Sequence, residues 1–239
     1  MPNSPLGNLP LADLPYNSRI TSEYGSENKN YYMLAFNPGY ALQASELNEI
    51  QELFFMNQSL SVRMNKNWKI AGFDYPYWEG LVPLSPAGIT TSTPSTTGVQ
   101  ATVSVTIKPG WFLWTDRTSK LNFWIYSNTS YTKTFTTTNS GTQIIGFDIN
   151  KKTITCCPTS TCSDTQDSTL RDNSSGDPDT TLSCGASRLL AGVSGAPDIR
   201  TEPTSGGFTT TFYPLLKLIY NGQNNARVLY YDNQIIATS

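Results

Sequence analysis

The seven residues Ala101-Thr-Val-Ser-Val-Thr-Ile107 constrain the fold more than any others, because apolar and polar side chains alternate there without exception. A period of two buries one side and wets the other only when the chain is a β-strand. The same pattern recurs, less regularly, in Leu121–Tyr126, Tyr131–Phe135, Phe208–Tyr213, Leu215–Tyr220, Arg227–Tyr231 and Gln234–Ile236. Trp111–Trp114 reads as a further strand after the Pro109-Gly110 turn, and Asn221-Gly222 starts a tight turn between two strands. Gln143–Ile149 and Lys152–Thr155 read as a hairpin around Asn150-Lys151. Short strands broken by frequent turns predict a mainly β chain whose residues 101–239 form an antiparallel β-sandwich or barrel-like domain.

One helix interrupts this pattern. Asn37-Pro38-Gly39 turns the chain after a short strand in which Tyr32, Leu34 and Phe36 alternate with Met33 and Ala35. Ser45 is the expected N-cap, and Glu46 and Glu49 place negative charge near the positive end of the helix dipole. Leu47, Ile50 and Phe54 recur at helical spacing, widened by Leu53, and are taken as a core stripe or a subunit contact. The helix is expected over about residues 45–62, to end at Asn65-Lys66-Asn67, and to be followed by a strand from Trp68 to Phe73. These elements form an N-terminal region, residues 21–82. Pro83, Pro86 and Pro94 with a Ser/Thr/Gly run make residues 83–100 a loop or linker before the β domain. Residues 1–20 carry Pro2, Pro5, Pro10 and Pro15, which deny them a long helix. They read as an extended arm that docks through Leu6 and Leu9, or as a disordered tail.

Composition narrows function mainly by exclusion. The 239 residues include no histidine, which removes the ordinary Ser-His-Asp and Cys-His nucleophile pairs and the commonest zinc ligand. Asp and Glu sit mostly in turns and on the helix, and no spacing singles out a catalytic pair, so no catalytic residue is nominated. Charged residues are 14 % of the chain and the net charge is −2, so a basic footprint for nucleic acid is missing. No apolar run reaches the length that crosses a bilayer. The N-terminus lacks the basic segment and apolar core of a secretory signal, so synthesis and assembly in a cytoplasm are expected.

Cys156, Cys157, Cys162 and Cys184 fall within one long Ser/Thr/Asp-rich excursion, residues 156–187. Adjacent cysteines are a poor start for a metal site, so a disulfide clasp is the preferred reading over free thiols or zinc. Cys162 with Cys184, leaving one of the adjacent pair over, or two bridges, are both open. Asp164, Asp167, Asp172, Asp177 and Asp179 crowd the same segment without a calcium-loop spacing, and read as turn chemistry. No cofactor or metal is therefore expected. Trp68, Trp78, Trp111, Trp114 and Trp124 are either core residues or a sugar-stacking platform, with core preferred.

Three segments, taken in order, resemble a family of tailed-bacteriophage structural proteins. The first is an extended Asn-Tyr strand, a Pro-Gly turn, then Leu42, Gln43, Ala44, Glu46, Leu47 and Gln51. The second is Ile145-Gly-Phe-Asp-Ile149. The third is Asp167-Ser-Thr-Leu-Arg-Asp-Asn173, followed after a variable loop by Gly185-Ala-Ser-Arg-Leu189. Tyr213-Pro-Leu215 is similar to the family's closing strand. The resemblance implies a non-enzymatic virion protein of the tail baseplate or tail-fibre attachment region. Its implied partners are other virion proteins and further copies of itself in a trimeric or six-fold arrangement. The cysteine-bearing segment departs from the family pattern, and the chain ends soon after the β domain, so a compact baseplate or adaptor subunit fits better than a full tail fibre. A receptor-binding, glycan-binding module of a tail fibre is the alternative.

Overall fold

Alternation becomes sheet wherever it is strongest. A computed structural model of the protein describes residues 31–36, 44–72, 80–138, 142–157, 161–167, 186–201, 203, 208–209, 211–222, 226–231 and 235–238. Among these the chain is mainly β with a single α-helix, and its larger sheets are antiparallel. The expected arm, with Leu6 and Leu9, and the Asn37-Pro38-Gly39 turn lie outside the described residues, as do Trp78, Asp172, Asn173 and Cys184. No described helix is long and apolar enough to cross a membrane.

The chain divides into two interleaved units, residues 1–60 with 151–191, and residues 61–150 with 192–239. In the first, β1 (Tyr31–Ala35) pairs antiparallel with β11 (Ser187–Val193), with a register shift between Tyr31 and Met33. Strand β10 (Gln166–Asp167) runs parallel to the end of β9 (Thr142–Cys156). Tyr31, Ile154 and Cys156 form a small apolar core, joined by the partly buried Leu190.

The second unit holds the barrel-like β structure. Its first sheet is β2 (Leu81–Pro83), β6 (Gly110–Thr115) and β7 (Asn122–Ser127). Its second sheet centres on β5 (Gln100–Ile107), flanked by β3 (Ile89–Thr91) and β4 (Ser95–Thr97) on one side and β8 (Tyr131–Thr138) on the other. Its third uses the first part of β9, to which both β12 (Asp198–Thr201) and β13 (Phe212–Tyr220) pair, continuing into β14 (Ala226–Tyr230) and β15 (Ile235–Thr238). Gly222 adopts φ 83° after β13, the conformation that the Asn221-Gly222 turn requires of a residue without Cβ. The core is aromatic: Trp114 packs edge-on against Tyr213 at 5.7 Å, and Phe147 contacts both Phe112 and Tyr131.

Three local expectations are corrected. The helix α1 spans Ala44–Ile70, so Ser45 lies inside its first turn and Asn65-Lys66-Asn67 do not end it. It stops at Gly72, whose φ of 79° is the left-handed conformation of a helix C-terminus. Trp68 is therefore helical rather than in a strand; it is fully buried, donates through Nε1 to the Pro83 carbonyl at 3.1 Å and stacks edge-on to Tyr230. Burial of that indole holds the last turns in helix against the weak propensity of the Asn residues. Residues 83–100 are not a bare linker; they carry a 3-10 turn at Pro86–Gly88 and the strands β3 and β4. Finally, β9 runs through Asn150-Lys151 without a hairpin, because its two parts pair with different partners.

Candidate functional site

The helix buries the opposite side from the one its apolar residues suggest. Glu46, Glu49, Leu53, Met56, Leu60, Met64 and Trp68 follow at steps of three and four and are all buried. Leu47, Ile50 and Phe54 face outward, and Phe54 is 63 % exposed. Two carboxylates thus sit one turn apart on the inner face of α1, where an uncompensated charge is not tolerated.

Arg188 compensates them. It is the second residue of β11 and is completely buried, as is Glu49. Its guanidinium grips Glu49 in a two-pronged fork, Nε to Oε1 at 3.2 Å and Nη2 to Oε2 at 2.5 Å. Nη1 donates to the Ala186 carbonyl and lies 3.7 Å from Glu46 Oε1. Glu46 in turn accepts the Ala186 backbone N–H. Such a fork matches the planar geometry of Arg to carboxylate and fixes both partners in one orientation.

A second polar link stands nearby. The Tyr31 hydroxyl donates to Asp167 Oδ2 at 2.6 Å. Burial, followed by the bond to Asp167 and the charges of Asp167 and Glu49, raises the phenol well above its ordinary range. Its folded pKa exceeds the unfolded value, so the neutral phenol's contribution to stability is intact below about pH 10 and is lost as pH rises beyond it. Asp167 is also fixed by the short parallel ladder to Cys156 and by its carbonyl, which accepts from Cys157 N at 3.3 Å.

Cysteine chemistry closes the same segment. Cys157 is bridged to Cys162, with Cα atoms 5.4 Å apart, and Cys156 is also disulfide-bonded. The pairing of Cys162 with Cys184 is thereby ruled out. Replacing Cys157 and Cys162 together by serine is expected to destabilise this unit by about 2 kcal/mol, the chain-entropy value for so short a loop. Denaturant titration of the double variant against the parent protein measures it, and retention of full stability would mean the bridge constrains nothing.

The residues that carry the resemblance stated above meet here. Tyr31 comes from the Asn-Tyr strand, Glu46 from the helix motif, Asp167 from the Asp-x-x-Leu segment, and Ala186 and Arg188 from the Gly-Ala-x-Arg-Leu segment. Glu49 and Arg188 were not singled out as a pair in the sequence. The available signal was a lone arginine opening the apolar run Leu189-Leu190-Ala191, and glutamates three residues apart in phase with Leu53, Met56 and Leu60. A guanidinium whose donors are taken by protein oxygens and which has no accessible surface cannot meet a solvent-borne molecule; the arrangement is a clasp between α1 and β11.

The other nominated residues divide plainly. Trp68, Trp111, Trp114 and Trp124 are core residues, so their faces are taken within the protein. Among the described residues no group of three or more His, Cys, Asp or Glu side chains is arranged to hold a metal ion. Comparison with known proteins finds no family, no curated protein and no solved structure that matches this chain.

Proposed function

We propose that this chain is a structural subunit of a tailed-phage virion, in the tail baseplate or tail-fibre attachment region, acting by protein-protein assembly. The observation that carries the reading is the outward helix flank. Leu47, Ile50 and Phe54 are exposed on α1 while the clasp to Arg188 holds the helix fixed from its inner side. A rigid element that presents large apolar side chains to solvent is suited to docking, because little entropy remains to be lost when a partner covers it. The partners proposed are other tail proteins and further copies of this chain in three-fold or six-fold arrangement. Assembly takes place in the host cytoplasm. The disulfides then close as the particle enters oxidising surroundings, since thiols stay reduced in a cytosol.

Phe54→Glu tests the reading. The side chain is already 63 % exposed, so the fold should survive with a change within about 0.5 kcal/mol. Incorporation into particles, quantified by immunoblot of purified virions, should fall at least tenfold. Normal incorporation of Phe54→Glu would remove the helix flank as a docking element. Electron microscopy of labelled virions decides location, and density confined to the capsid shell would end the tail assignment.

A further inference from the structure

Strand β5 sends Ala101, Val103, Val105 and Ile107 inward, and Thr102, Ser104 and Thr106 outward. Its neighbour β8 places Thr136, Thr134 and Thr132 directly opposite those three. The remaining outward positions of β3, β4, β5 and β8 hold only Thr, Ser and Gln. No charged residue and no large apolar residue occupies this face. Protein surfaces ordinarily carry about 25–35 % charged residues, so a whole sheet face without one is unusual.

The hydroxyls are in part already satisfied. Thr102 and Thr136 bond across the strands at 3.0 Å, and Thr106 and Thr132 do the same at 3.0 Å. Covering such a face strips little water from polar atoms lacking partners, and it desolvates no charge. The outward threonine methyls supply the apolar surface.

We infer that this threonine face docks against the same face of a second copy of the chain. The chemistry selects that occupant. With no cation the face cannot neutralise phosphates, and with no outward aromatic ring it cannot stack a sugar. A two-fold contact brings each neutral position onto a neutral position, so an identical face is complementary without any opposite charge. Strand spacings of about 4.8 Å and about 3.3 Å per residue give a face of roughly 25 Å by 14 Å, near 350 Å². That is under half the roughly 800 Å² per partner of a stable complex. The contact is therefore weak in dilute solution and becomes effective where copies are held side by side. The inference rests on the assembly role proposed above for that setting only.

The test uses the full chain in solution. Sedimentation velocity and amide chemical shifts should reveal self-association as protein concentration rises into the millimolar range, with shifts concentrated in β5 and β8. Thr102→Lys with Thr134→Lys should weaken it at least tenfold, whereas Thr102→Ser with Thr134→Ser should retain it; circular dichroism checks that each variant is folded. A parent protein that stays monomeric, or lysine variants that associate equally well, would overturn the inference. So would shifts in β5 and β8 that appear on adding a neutral glucan but not on concentrating the protein. These results are independent of where the chain resides in a particle. A face that self-associates in a protein absent from the tail would sink the assembly role alone.

Discussion

Replacing Arg188 by leucine is expected to destabilise the helix-bearing unit by about 3–5 kcal/mol, because it leaves two buried carboxylates without their cation. Domains of ordinary stability have roughly 5–15 kcal/mol to lose, so the local structure should be close to unfolding. Hydrogen exchange of α1 residues 44–60 and of residues 186–191 reads this out separately from the rest of the chain. Protection should collapse there first. A companion variant sharpens the result. Glu46→Leu, Glu49→Met and Arg188→Met together should restore most of the loss, since apolar side chains of similar volume replace a buried ion cluster at little or no net cost. Full protection in Arg188→Leu would mean that the clasp does not hold the helix.

The second large effect falls at Gly146, within β9. A Cβ built there would overlap the Tyr213 carbonyl oxygen and would lie 2.7 Å from Phe212 Cζ and 2.9 Å from Pro214 Cα. Two of those neighbours are backbone atoms of β13, where the ladder is irregular between Pro214 and Leu216. They cannot rotate away, as the end of a long side chain would. Gly146→Ala is therefore expected to cost at least 3 kcal/mol, the upper range of overpacking at roughly 1–3 kcal/mol and beyond. The readout is the urea midpoint followed by tryptophan fluorescence. An unchanged midpoint would show that β9 and β13 separate freely at that point.

Strand existence was legible wherever period two was strict. Residues 100–107 and 131–138 lie where alternation placed them, because each strand buries one face and wets the other. The hairpin at Asn150-Lys151 was misread because turn residues alone do not reverse a strand whose two ends have separate partners. The length of α1 was hidden for a similar reason. Trp68 stays helical through contacts to Pro83 and Tyr230, and the second of these is remote in sequence. The helix face was inverted outright. Hydrophobicity assigns Glu46 and Glu49 to solvent and Leu47, Ile50 and Phe54 to the interior, and only the distant Arg188 reverses that choice. The resemblance nevertheless quoted Glu46, Asp167 and Arg188 as parts of separate motifs, and the structure brings them into one polar neighbourhood.

The clasp also sets a timetable for biosynthesis. Glu49 and Arg188 are 139 residues apart in the chain. At roughly 5–20 residues per second, the arginine leaves the ribosome on the order of ten seconds or more after the helix does. Throughout that interval the two carboxylates remain hydrated, and they keep Leu53, Met56 and Leu60 from settling against β11. The nascent helix thus shows apolar residues on both flanks until late in translation. Ribosome-bound chains stalled before Arg188 should recruit chaperones through this helix, and chains stalled well beyond it should release them.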